Sequence, residues 1–125
     1  MLMTNVLLID DDAILRNTLR EMLEKLSCDV TEAEDGVVAT EKMEETDFDL
    51  VVTDIFMPNQ DGIETIRNIR RARNDVHIVA ISGGTPNQRV NFLKMAKSIG
   101  ADFALAKPID IQQLADILGK IKNKN

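Results

Sequence analysis

The sequence predicts an α/β fold: five strand–helix units in alternation, building a parallel sheet with helices on both of its faces. Three observations predict it. Short apolar runs recur along the chain, at Asn5–Ile9, Leu50–Thr53 and His77–Ile81, as strands buried on both faces require. Between them lie stretches whose apolar residues fall three and four apart, the spacing of one helix face. The connections are short, so successive strands run parallel with a helix crossing back between them.

Taken in order, Asn5–Ile9 is the first strand. Ala13–Leu26 is the first helix, with Ile14, Leu15, Leu19, Met22, Leu23 and Leu26 on its apolar stripe. Asp29–Ala33 reads as a second strand, and Asp35-Gly36 punctuates the chain before a helix over Val37–Thr46. Leu50–Thr53 is rich in the β-branched residues that suit a pleated surface. Pro58–Gly62 reads as a loop, with Asp61 placed to cap a helix running to about Arg73. His77–Ile81 is the fourth strand, and Ser82-Gly83-Gly84 a loop. Thr85, Pro86 and Gln88 form a helix start, with Thr as cap, Pro at the first position and Gln three residues past the cap. That helix runs to about Ile99, and Gly100 stops it. Phe103–Ala106 is the fifth strand. Asp110 and Gln113 then make a capping box for a helix with Ile111, Leu114, Ile117, Leu118 and Ile121 on one stripe. Lys122–Asn125 is a polar, frayed end.

The 125 residues form one domain, 1–125, with no linker, repeat or low-complexity segment. A chain of this length buries enough surface to fold without metal or disulfide. The lone Cys28 has no intramolecular partner, which points to a reducing compartment. No apolar run approaches the roughly 18 residues that span a bilayer. Met1–Ile9 lacks the basic start of a signal peptide. The expected location is therefore the cytoplasm. A net charge of −6 argues against nucleic-acid binding by this domain and suits a cation or a basic partner.

In open α/β sheets, ligands bind beyond the carboxyl ends of the strands. Asp10, Asp11 and Asp12 follow the first strand, Asp54 the third, Ser82 the fourth, and Lys107-Pro108 the fifth. Asp10, Asp11 and Asp54 would crowd like charges, each raising the pKa of the others, and a divalent ion relieves that repulsion. Oxygen ligands without a Cys or His cluster favour Mg²⁺. Read alone, each residue has a plainer role. Acidic residues cap helices, and that is the reading taken for Asp12; for Asp10 and Asp11 capping and cation binding stand level. Asp54 alone is either a turn residue or a nucleophile able to carry an aspartyl phosphate. Ser82 alone is a loop residue, and Lys107 alone a surface lysine. Together they are the parts of a metal-assisted phosphoryl-transfer site, with Lys107 neutralising charge and Ser82 bonding a phosphoryl oxygen.

These residues resemble the receiver domain of two-component response regulators, over essentially the whole chain. The likeness is carried by Leu7-Leu8-Ile9-Asp10-Asp11-Asp12, by Ala33-Glu34-Asp35-Gly36, and by Val51-Val52-Thr53-Asp54-Ile55-Phe56-Met57-Pro58 with Asp61-Gly62. Ser82-Gly83, Gly100-Ala101-Asp102 and Ala106-Lys107-Pro108 complete it. The resemblance implies a flavodoxin-like (βα)5 fold with strand order 2-1-3-4-5. It implies Asp54 as phosphoacceptor, and Mg²⁺ held by Asp10, Asp11, Asp54 and the backbone carbonyl of Phe56. It also implies Ser82 as the switch hydroxyl, Lys107 as the phosphoryl contact, and a cis Lys107–Pro108 peptide. Implied partners are a histidine kinase or histidine phosphotransfer protein, which the first helix and neighbouring loops (Ala13, Ile14, Asn17) would meet. The signal would pass to a downstream protein or an attached effector domain. No membrane or nucleic-acid partner is implied, and no enzymatic activity beyond Mg²⁺-dependent self-phosphorylation and self-dephosphorylation.

The chain departs from the family pattern in three places. Ala104 stands where the family usually has an aromatic switch residue, and neighbouring Phe103 points to the opposite face of the strand. The segment from Ser82 to Lys107 is a few residues longer than expected. Phe56 and Gly84 occupy the positions whose side chains tune hydrolysis, and neither orients a water, so slow self-dephosphorylation is expected. Elsewhere, Arg67, Arg70, Arg71 and Arg73 read as a solvated basic face, His77 as a packed strand residue, Cys28 as inert, and Met22, Met43 and Met95 as core filler. Three rival functions fit less well. A phosphatase would need a general acid where Phe56 stands, a pseudo-receiver would not need the intact site, and a flavin binder would be repelled by the acidic triplet.

Overall fold

The computed structural model describes residues 3–55, 62–73, 75–83 and 86–123. Five strands alternate with five helices: β1 (Thr4–Ile9), α1 (Ala13–Lys25), β2 (Cys28–Ala33), α2 (Gly36–Glu45), β3 (Leu50–Asp54), α3 (Gly62–Ala72), β4 (His77–Ser82), α4 (Pro86–Ser98), β5 (Phe103–Ala106) and α5 (Ile111–Asn123). The strands form one parallel sheet in the order β2-β1-β3-β4-β5. This is the flavodoxin-like architecture expected from the sequence.

Strand alternation divides the core in two. Val6, Leu8, Val30, Leu50, Val52, Val79 and Ile81 face one side and pack with Leu19 and Leu23 of α1 and Leu114, Ile117, Leu118 and Ile121 of α5. Leu7, Ile9, Val51, Ile78 and Ala80 face the other side and meet Ala39 and Met43 of α2, Ile66 and Ile69 of α3, and Ala96 of α4. Both faces of the central strands are covered, which is why Val6–Ile9, Leu50–Val52 and Ile78–Ile81 are unbroken apolar runs.

Local chemistry sets the helix ends. Asp12 caps α1 by accepting from the N–H groups of Ile14 and Leu15, as its sequence position predicts. Asp35 caps α2 through the Val38 N–H. Asp110 and Gln113 bond reciprocally ahead of α5, completing the predicted capping box. The proposed caps Asp61 and Thr85, with the Gln88 side chain, lie outside what is described. Gly100, after α4, has φ +130°, a conformation L side chains rarely adopt, and an added Cβ would stand 2.7 Å from Cγ of Arg70.

Four expectations are corrected. Ile14 is 83% exposed and does not join the α1 stripe, because it lies in the first turn, ahead of the part of α1 that meets the sheet. Ile111, 38% exposed, sits at the rim of the α5 stripe for the same reason. Met95 is exposed rather than core filler; Ala96 beside it takes the inward position. The α3 arginines are not one solvated face. Arg67 and Arg71 are exposed, but Arg70 donates to the carbonyls of Gly100 and Val76 and pairs with Asp102. Arg73 pairs with Asp47 and also reaches the Met43 carbonyl. These two long side chains turn back from α3 to tie together the loops at the lower edge of the sheet.

Candidate functional site

The order of the strands reverses between β1 and β3, and the site lies at the carboxyl ends of that central pair. Register carries the residues there. Ile9 pairs with Thr53, so Asp10 follows β1 beside Asp54 at the end of β3. Asp54 pairs with Ile81, which puts Ser82 one step on. Ser82 pairs with Ala106, and Lys107 follows. Four strands therefore deliver Asp10, Asp54, Ser82 and Lys107 to one rim.

Carboxylate oxygens of Asp10, Asp11 and Asp54 all lie within 4.8 Å of one another. Asp10 and Asp54 are buried and Asp11 is exposed, giving the cluster one open side. The donor set is all oxygen and strongly negative, and it fits a hard divalent cation that keeps part of its water shell. Burial pushes Asp10 up from 3.8 to about 6, and the Asp54 and Asp11 charges push the same way, whereas the Asp12 N–H, 2.9 Å from Oδ1, and Lys107 favour the ionised form. Lys107 Nζ donates to Asp54 Oδ2 at 2.9 Å. Ser82 is fully buried, and its hydroxyl donates to the Gly83 carbonyl at 3.1 Å. The Lys107–Pro108 peptide is cis.

The backbone just after Asp54 is fixed from α3. The Gly62 N–H donates to the Ile55 carbonyl at 2.8 Å, and a Cβ on Gly62 would lie 2.2 Å from the Asp54 carbonyl oxygen. Only glycine permits this approach. Asp10, Asp11, Asp54, Ser82 and Lys107 are thus brought to one rim. Phe56, expected to offer its carbonyl, lies outside the described residues, as does Gly84.

Ala104 is half-buried on β5. Phe103 and Leu105 pack on the α1–α5 side, with Lys120 Nζ 5.9 Å from the Phe103 ring centroid, so Phe103 does point away from the face of Ala104. His77 is partly buried at the start of β4, 3.9 Å from Asp102, and Cys28 is buried, which raises its thiol pKa. Ala13, Ile14 and Asn17 are exposed at the start of α1.

Two residues at the site escaped sequence reasoning. Arg16 donates to the Asp10 carbonyl at 2.8 Å, and Glu32 holds Arg16 at 3.1 Å. Their 16-residue separation leaves no local pattern.

This sheet, with its acidic cluster at the switch point, defines a receiver-type α/β module. The chain belongs to the response regulator receiver domain family, whose model matches residues 6–119. It is 37% identical to the chemotaxis protein CheY of Halobacterium salinarum, covering 93% of this chain and 94% of that protein. It is 34% identical to the sensor protein EvgS of Escherichia coli K12, covering 94% of this chain but only 10% of that protein. Among solved structures, a CheY-like receiver domain from Methylobacillus flagellatus superposes with a TM-score of 0.85 at 28% identity, over 96% of this chain and 99% of that one.

Proposed function

We propose that the chain is a phosphoaspartate signalling switch with Asp54 as the phosphoacceptor. One observation carries the reading: the buried Asp54 carboxylate has the Lys107 ammonium at 2.9 Å and the carboxylates of Asp10 and Asp11 within 4.8 Å. The donor is a histidine kinase or histidine phosphotransfer protein. An Asp54 oxygen attacks phosphorus as the N–P bond breaks, the donor imidazole leaves with the bonding electrons, and an acyl phosphate forms on Asp54. Asp10, Asp11 and Asp54, with the Phe56 carbonyl, would hold Mg²⁺, which when bound neutralises the carboxylates and the phosphoryl oxygens.

The chain's own groups do the rest. Lys107 spends its charge on Asp54 before transfer and on the phosphoryl group afterwards. Ser82 exchanges its Gly83 acceptor for a phosphoryl oxygen. That rearrangement shifts an equilibrium between two surface states, read by a downstream protein or an attached effector domain. Ala104 carries no ring, so the surface near β5 responds without aromatic movement. The exposed Ala13, Ile14 and Asn17 meet the phosphodonor. The reading places the protein in the cytoplasm, without membrane or nucleic-acid partners and without turnover of other substrates. Among the described residues no helix is long and apolar enough to cross a membrane.

The test is intact-protein mass spectrometry after incubation with a small acyl-phosphate donor. One phosphoryl adduct is expected with Mg²⁺, none without it, and none on Asp54→Asn. The adduct should persist well beyond seconds. An adduct that survives Asp54→Asn would overturn the assignment.

A further inference from the structure

We propose that Arg16 is a positioning residue for the acidic pair, holding the Asp10–Asp11 peptide through its main-chain carbonyl; this rests on the cation-site reading above. Asp10 lies one residue beyond the last β1 ladder pair. Its N–H still donates to the Ala33 carbonyl at 3.1 Å, while its own carbonyl lies beyond the last ladder pair. Asp10 is 1% exposed, so that carbonyl needs a protein partner. Arg16 Nη1 supplies it at 2.8 Å.

The guanidinium is itself held. Its Nε donates to Glu32 Oε1 at 3.1 Å, and the other Glu32 oxygen accepts from Arg20 Nη1 at 2.6 Å, one turn further along α1. The peptide joining Asp10 to Asp11 is thereby fixed to a helix and to a strand at once. The plane of that peptide sets the directions in which both carboxylates leave the chain, and hence their convergence with Asp54. A guanidinium can bridge a carbonyl and a carboxylate from two edges of one rigid plane, which an ammonium cannot. Among the described residues Arg16 bonds the Asp10 carbonyl and Glu32 and no carboxylate of the cluster, so it acts on the geometry of the cluster.

The test is the Mg²⁺ dissociation constant of the full chain, by calorimetric titration, with circular dichroism melts of the metal-free proteins. Arg16→Lys and Arg16→Met should both bind Mg²⁺ about tenfold or more weakly, the cost of losing an outer hydrogen bond to a metal site. Arg20→Met, which loses the outer contact to Glu32 and an exposed pair with Glu24, should change affinity by less than about threefold, as for partly exposed ion pairs. Wild-type affinity in Arg16→Lys would overturn the proposal, because charge alone would then suffice. Equal losses in the Arg16 and Arg20 variants would also overturn it, by assigning the effect to general loosening of α1. Absence of Mg²⁺ binding in the unmodified protein would overturn the cation-site reading first and this inference with it.

Discussion

Asp10 sits where the fold opposes its own ionisation. Its pKa, raised from 3.8 to about 6, means the folded state keeps a proton that the unfolded chain releases. That contribution to stability is full below about 3.8 and is lost as pH rises through about 6. At neutral pH the ionised, buried carboxylate therefore costs stability, up to about 3 kcal/mol at roughly 1.4 kcal/mol per unit. Asp10→Asn should raise the melting temperature of the metal-free protein at pH 7 and flatten its pH dependence between 4 and 7; calorimetry across that range checks it. A bound cation reverses the sign, since it needs the carboxylate. Mg²⁺ affinity should fall about tenfold per pH unit once pH drops below the Asp10 pKa, through competition with one proton. A fold that tolerates such a residue without its ion resembles the usual bargain at functional sites, where local stability is given up for chemistry.

At the scale of elements, the ends of the helices explain the placement of polar residues better than their middles do. Asp12, Asp35 and Asp110 each bond to the first turn of a helix; Asp12 and Asp110 were legible as caps from their neighbours, whereas Asp35 was legible only as a break in the chain. The other end of α1 is less regular. Leu26 closes the helix, and Ser27 takes φ 65°, a left-handed conformation usually filled by glycine. Ser27 is exposed and donates its N–H to the Glu24 carbonyl, a bond glycine retains. Ser27→Gly should stabilise the protein by about 0.5–1 kcal/mol, relief of the left-handed strain outweighing the entropy cost of glycine. A chemical denaturation midpoint measures it. Periodicity marks which residues are apolar but not which of them the sheet reaches. Ile14 and Ile111 lie in first turns at the edge of the sheet, and Met95 faces outward because Ala96 takes the inward position.

For the whole molecule, the two halves of the core share one sheet. Leu8 and Leu7 are successive residues of β1 that face opposite halves. Loss of packing on one side loosens the strands that the other side needs. Leu114→Ala on the α5 side and Ile66→Ala on the α3 side should each cost about 2–5 kcal/mol, and each should leave a single unfolding transition. Far-UV circular dichroism is the probe, since the chain has no tryptophan or tyrosine. Two transitions would show that the halves unfold separately. Arg67 and Arg71 are exposed and make no ion pair among the described residues, whereas Arg70 ties α3 to the turn before β5.

The sequence by itself determined the order and type of the ten elements, because burial on both faces leaves runs of apolar residues and because each cap acts within three residues of its helix. It also determined which polar residues end the strands, and so which could share a rim. Only the tertiary structure decided how those ends meet: the register that puts Asp10 beside Asp54, the 2.9 Å approach of Lys107, and the bond of Ser82 to the Gly83 carbonyl. The same holds for Arg16 and Glu32, and for Arg70 with Asp102, whose partners lie 16 and 32 residues away. Local sequence governs short-range hydrogen bonding and periodic burial. Contacts between strands and across loops depend on how the sheet is assembled, and no window of neighbouring residues contains that information.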